Sequence, residues 1–111
     1  MTSTREQLTD LLARVEGATG ADREIDVALF RAAGPTVLIQ EDYTASLDAA
    51  LALLGRVLPG WVWEVSSGRS GLPWAVLSGD GRSAGGEAKT PALSILSAML
   101  RALIAENPDD R

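Results

Sequence analysis

The sequence predicts an α+β domain in which a three-stranded antiparallel sheet is packed by helices. Two tryptophan-bearing segments of alternating pattern are followed by an Asp80-Gly81 turn, which predicts three consecutive strands. Helical leucine spacing precedes and follows these strands. The chain of 111 residues is long enough for one core. We therefore expect a single domain, 1–111, of order α-α-(β)-α-β-β-β-α and with a helix/sheet/helix sandwich.

Two helices are predicted in the amino-terminal part, 1–34. The first covers about 4–16 and starts at a capping-box spacing of Ser3 and Glu6. The second has Asp22 as its N-cap and ends at Gly34-Pro35. Residues 36–40 are apolar and β-branched, and they fit either a fourth short strand or a tucked connector.

The second part, 42–106, is predicted to hold a helix, the three-strand meander and a last helix, with 107–111 as a polar tail. The third helix starts at about Thr44, so that Ser46 lies inside it, and Pro59-Gly60 stops it. Strands are expected at 61–66, 74–78 and 82–87. Thr90-Pro91 is a strong helix start, since the hydroxyl caps the helix and proline needs no N–H there.

The same periodicities predict a core. Its members are Leu8, Leu12, Ile25, Leu29, Leu47, Leu51, Leu54, Trp61, Val65, Val76, Leu93, Leu96 and Leu100.

Composition removes several classes of chemistry. The chain has no cysteine and no histidine, so thiolate chemistry, disulfides and histidine-based catalysis are excluded, and we expect neither an enzyme nor a cofactor or metal site. The formal charge of −5 argues against nucleic acid as a partner. No run of about 20 apolar residues suggests a membrane span, and we expect a cytoplasmic protein.

Five residues are candidate binding groups. If one of them is exposed, Trp63 or Trp74 beside the loop at Arg69 would make a stacking platform, although tryptophans on strands more often pack the core. Arg69 and Arg82 lie in glycine-rich loops that could hold a phosphate, and ordinary hairpin loops explain the same residues. Lys89 precedes a helix N-terminus, where an anion could bind, although a plain N-cap accounts for this pattern too.

Other polar residues are better explained without a site. The carboxylates at positions 22, 24, 26, 41 and 42 are interpreted as solvated helix charge, because residues two apart do not share a helix face. The order helix, three strands and helix also occurs in double-stranded RNA-binding domains, but only Lys89 stands where several cations would be required.

Four segments of the chain carry recognisable motifs: 22–26 (DREID), 42–51 (DYTASLDAAL), 58–61 (LPGW) and 86–93 (GEAKTPAL). Together they resemble the phage ABA sandwich domain family, whose members are small phage and prophage proteins. The resemblance covers nearly the whole chain except 34–41. It implies a sheet between helical layers, and it brings no functional residue with it.

Three functions follow as hypotheses. The leading one is a non-enzymatic phage or prophage accessory protein that binds a host or phage protein, which includes inhibition of a host defence system. The second is a protein that binds or sequesters a nucleotide signal through Arg69, Arg82 and an exposed tryptophan. The third is a virion or assembly component that forms a closed homo-oligomer.

Overall fold

A computed structural model of the protein describes residues 4–33, 39–67 and 70–106, and it confirms the α+β class and the order of the elements. Four helices and three strands are present in these ranges. They are α1 (Thr4–Gly17), α2 (Arg23–Ala33), α3 (Leu47–Val57), β1 (Val62–Ser67), β2 (Pro73–Gly79), β3 (Arg82–Glu87) and α4 (Pro91–Glu106).

Several predictions fall wholly or partly outside the described residues. They concern Ser3, the end of the second helix at 34–35, most of the possible strand at 36–40, and the tail. The described part of that possible strand, Ile39 and Gln40, is not in a strand.

Side-chain caps fix the starts of three helices. Asp22 accepts hydrogen bonds from the backbone N–H groups of Glu24 and Ile25 at 2.9 and 3.2 Å, as predicted. The Thr90 hydroxyl accepts one from the Leu93 N–H at 3.1 Å, which confirms the cap before Pro91.

The start of α3 differs from the prediction. Ser46 is the N-cap and not an interior residue, because its hydroxyl accepts the Ala49 N–H at 3.2 Å. Residues 43–45 form a turn before the helix, in which the Ser46 N–H donates to the Asp42 carbonyl at 3.1 Å. The helix therefore starts three residues later than predicted, and Thr44 lies before it, where its N–H donates to the Asp26 carboxylate at 2.8 Å.

Asp26 also corrects the view that this group of carboxylates is solvated. It is buried, and its Oδ1 accepts both the N–H and the hydroxyl of Thr44, each at 2.8 Å. The Thr44 hydroxyl oxygen in turn accepts the Asp22 N–H at 2.7 Å. This network ties the approach to α3 onto the first turn of α2.

The strands form one antiparallel sheet of order β1-β2-β3. The register pairs Trp63 with Leu77, and Leu77 with Ala84. Asp80 and Gly81 have φ values of 53° and 73°, so β2 and β3 are joined by the predicted two-residue turn. No other strand of the described residues pairs with β1 or β3, which are the edge strands of this sheet.

Helix α4 lies at the centre of the fold. It packs on β2 and β3, and α1 and α3 pack on α4. Ala75 and Leu77 of β2 face it and are fully buried, whereas the predicted core residue Val76 points to the opposite face of the sheet. The alternation of side chains along a strand explains this correction.

A glycine allows α4 to approach the sheet. A Cβ atom at Gly86 would lie 2.5 Å from both the backbone nitrogen of Ala98 and the hydroxyl oxygen of Ser97. No side chain fits between β3 and α4 at this point, so the close approach depends on glycine.

Candidate protein-binding surface

The three tryptophans lie on both faces of the sheet. Cross-strand partners share a face, so the register places Trp63 on the side that α4 covers, together with Leu77. Trp61, two residues earlier, shares that side. Trp74 pairs with Ser66 and points to the opposite side. Trp63 and Trp74 therefore lie on opposite sides of the sheet, and each is partly exposed.

Two of the tryptophans cover glycines of a neighbouring strand. The Trp61 ring lies over Gly79, where a Cβ would come within 2.5 Å of it. The Trp74 ring lies over Gly85, where a Cβ would come within 2.6 Å. Each ring fills the space that a missing side chain leaves on the sheet, which gives both residues a structural role.

Trp63 has no such neighbour, and 48% of it is exposed. The adjacent Val62, on the other side of β1, is 65% exposed. The two exposures have different causes. Trp63 is exposed because α4 lies under β2 and β3 and scarcely reaches β1, whereas Val62 lies on the opposite side of the sheet, on which no helix of the described residues packs extensively. Sequence periodicity identified β1 but could not show that α4 stops short of it.

The cationic candidates are separated along the sheet. Arg82 lies at the β2–β3 turn, where its guanidinium is 5.8 Å from the Trp61 ring centroid and 2.5 Å from the Glu106 carboxylate. Lys89 follows the other end of β3, and its ammonium donates to the Glu16 carbonyl at 3.5 Å. Arg69 lies outside the described residues. Among the described candidates, the phosphate-binding arrangement is not assembled.

We use the name "outer face" for the side of the sheet opposite α4. The register assigns to it Val62, Glu64, Ser66, Trp74, Val76, Ser78, Ser83, Gly85 and Glu87. These positions include two carboxylates and no lysine or arginine. No helix in the described part of the chain packs extensively on this face.

The outer face is partly apolar. Val62 is 65% exposed and Trp74 is 39% exposed. Val76 is half-buried, and the pair that it forms with Glu64 lies between the pair that contains Val62 and the pair that contains Trp74. Glu64 is exposed beside Val76. Apolar side chains edged by acidic ones are typical of a surface that contacts another macromolecule.

Two clefts were not anticipated from the sequence. One of about 790 Å³ lies between α1 and α2, with Leu8 and Leu11 in its lining and both Arg14 and Arg31 at its sides. Its residues are spread over two helices with ordinary amphipathic patterns, so no sequence signal marked it.

The other cleft, of about 420 Å³, is lined in part by Trp74, Glu16 and Arg101. Its charges are already partnered, since Arg101 donates to Glu16 Oε2 at 2.7 Å and the Ser97 hydroxyl donates to the same oxygen at 2.7 Å. This cleft therefore offers little free charge to a ligand.

Metal ligands are not clustered in the described ranges, where no three acidic residues come together as a cation site. None of the helices seen there is long and apolar enough to cross a membrane. The chain matches no protein-family model, and searches of curated proteins and of solved structures find no similar protein.

Proposed function

We propose that this protein acts by binding another protein at the outer face of its sheet. The observation that carries the proposal is the combination of exposed Val62 and Trp74 with a sheet side on which no described helix packs extensively. Burying apolar surface of this kind is the main favourable term in protein association. A small protein without cysteine or histidine suits such a role.

Charge favours a basic partner. The outer face carries Glu64 and Glu87 without a compensating cation on the three strands' outer positions, and the whole chain has a formal charge of −5. Complementary charge raises the association rate and selects among partners. A second copy of the chain would bring like charges together.

The setting we propose is that of a small phage or prophage accessory protein, with a host or phage protein as its target. The support is the resemblance of residues 22–26, 42–51, 58–61 and 86–93 to the phage ABA sandwich domain family. Inhibition of a host defence component is one role of this kind. A nucleotide-sequestering role has less support, because Arg82 is ion-paired with Glu106 and lies at the other end of the sheet from Trp74.

The test is capture of a partner by the tagged protein in bacterial cells, with two matched charge reversals. The double variant Val62→Thr, Glu64→Lys changes the outer face and keeps a β-branched residue in the strand. The control Asp10→Lys makes the same charge change at an exposed position on α1.

We expect the wild type and the control to recover the same protein in stoichiometric amount, and the double variant to lose it by at least about tenfold. Unaltered circular dichroism and melting temperature would show that the variant is folded. Equal recovery by the double variant would contradict the proposal, as would loss with the control alone.

A further inference from the structure

We infer that the partner binds as an extended basic segment that pairs with the free edge of β1 and extends the sheet to a fourth strand. The inference rests on the proposed function and adds the mode of binding and the chemistry of the bound segment. It rests on three observations: which residues of β1 direct their backbone N–H and C=O groups to the free edge, the exposure of side chains on both sides of β1, and the charge on that strand.

The two-residue turn fixes which pairs of residues in β2 and β3 are joined by backbone hydrogen bonds. In a hairpin of this type the residues that flank the turn, here Gly79 and Arg82, exchange backbone hydrogen bonds, and bonded pairs then alternate along the ladder. The N–H of Ala88 donates to the Pro73 carbonyl at 3.2 Å. This is the bond that the same alternation predicts at the end of the β2–β3 pair farthest from the turn.

The alternation carries over to β1. Residues of β2 that bond β3 are 79, 77, 75 and 73, so 78, 76 and 74 bond β1. Their partners in β1 are Val62, Glu64 and Ser66. The backbone N–H and C=O groups directed to the free edge therefore belong to Trp63, Val65 and Ser67.

Among the described residues, no segment pairs with this edge, and it has few of the features that usually protect an edge strand. Its sequence, VWEVSS, contains no proline and no lysine, and the register with β2 is continuous without a bulge. Natural proteins usually block a free edge with proline, charged side chains or a bulge, or cover it. Glu64 is the one charge on β1, so this strand of six residues is a template for pairing with an extended segment of opposite charge.

Both sides of β1 are open beside this edge. Val62 is 65% exposed on the outer face and Trp63 is 48% exposed on the side of α4. Side chains of an added strand would pack directly beside both residues, since cross-strand neighbours have Cβ atoms about 5 Å apart. Backbone pairing would thus be accompanied by burial of apolar surface on both sides.

Charge identifies the bound segment. Glu64 is the charged residue of β1, and it is exposed at the middle of the strand. Opposite charges in directly facing positions stabilise a strand pair, and like charges destabilise it. A lysine or arginine of the bound segment is therefore favoured opposite Glu64. If two copies of this chain paired through β1 with Glu64 facing Glu64, two carboxylates would repel each other, and each chain has a formal charge of −5.

The test uses displayed random peptides of about six residues, the length of β1, selected on the immobilised protein. We expect the selected peptides to be rich in β-branched residues and to carry a central lysine or arginine. Amide hydrogen exchange is then measured with the tightest peptide at about ten times its Kd.

Protection from amide exchange should appear at the residues of β1 whose N–H groups face the free edge. Exchange at Trp63, Val65 and Ser67 should slow about tenfold at that concentration, because bound protein is about tenfold in excess of free protein. The even-numbered amides of β1 already bond β2 and should change less.

N-methylated peptides provide the matched control. Alternate residues of the bound peptide direct their N–H groups toward β1, and the residues between them direct theirs away from it. Methylation of the first set should abolish binding, while methylation of the second set should leave binding nearly unchanged. The variant Glu64→Lys should weaken a basic peptide about fivefold and restore binding when the central lysine of the peptide is changed to glutamate. Asp10→Lys should do neither.

Several outcomes would overturn the inference. They are no enriched peptide, protection outside β1, equal effects of methylating the two sets of residues, or concentration-dependent protection of Trp63 and Val65 without peptide, which would indicate self-pairing. If Val62→Thr, Glu64→Lys still loses its cellular partner in these cases, the proposed function stands without this binding mode.

Discussion

Gly86→Ala should lower the stability of the fold through one methyl group. The added Cβ would lie 2.5 Å from the Ala98 nitrogen and 2.8 Å from the Ser97 Cβ, roughly 1 Å short of ordinary contact near 3.5 Å. The Ala98 nitrogen is backbone in the interior of α4, so it cannot rotate away and the helix must move off β3. Overpacking of this kind costs about 1–3 kcal/mol.

Alanine also removes the entropy cost of glycine in a strand, which offsets the loss by about 0.5–1 kcal/mol. We therefore expect a net loss of about 1–2 kcal/mol, measured as the free energy of unfolding in urea. The neighbouring Gly85→Ala is the matched comparison: its Cβ would meet the edge of the Trp74 ring, which can swing aside. A Gly86→Ala protein as stable as the wild type, or a larger loss at Gly85, would refute the reasoning.

Three further predictions concern stability. Gly55→Ala should stabilise α3 by about 0.5–1 kcal/mol, since Gly55 is exposed within the helix and an added Cβ meets nothing within 4 Å; an unchanged urea midpoint would contradict this. Asp26→Ala should cost about 1–3 kcal/mol because it leaves the buried Thr44 N–H unpaired, while the Thr44 hydroxyl can still donate to the Asp22 carbonyl at 3.2 Å; Asp26→Asn keeps the accepting oxygen and should cost less. Burial raises the pKa of Tyr43 above its ordinary value of 10.0, so the unfolded state loses this proton first and stability should fall as the pH rises above about 10. Tyr43→Phe should show a smaller fall over that range in urea titrations at successive pH values, and an equal fall would exclude Tyr43 as its source.

The arrangement of the elements was largely predictable because its signals are local. The Asp80-Gly81 turn supplies positive φ angles, and Thr90-Pro91 caps α4 with neighbouring residues alone. Local reasoning was wrong at two places: Ser46 caps α3 and does not lie inside it, and the Asp26 carboxylate, which seemed to be solvated, is buried and bonded to Thr44, 18 residues away.

The candidate surface was less predictable. Period-two alternation shows that Val62 and Trp63 lie on opposite sides of β1, but not which side a helix will cover or how far that helix extends. In the structure α4 covers β2 and β3 but not Trp63, and no helix of the described residues packs extensively on the opposite side, where Val62 lies. It also separates Arg82 from Trp74, which sequence reasoning had joined in one hypothetical site.

The sequence by itself determined the class of the fold, the caps of α2 and α4, the hairpin turn and the lack of cysteine and histidine chemistry, since these depend on residue type and near neighbours. Only the tertiary structure decided which glycine admits α4, which tryptophans cover glycines and how little α4 extends over β1. These features depend on where separate segments meet in space, and the periodicity of one segment contains no information about its distant neighbours.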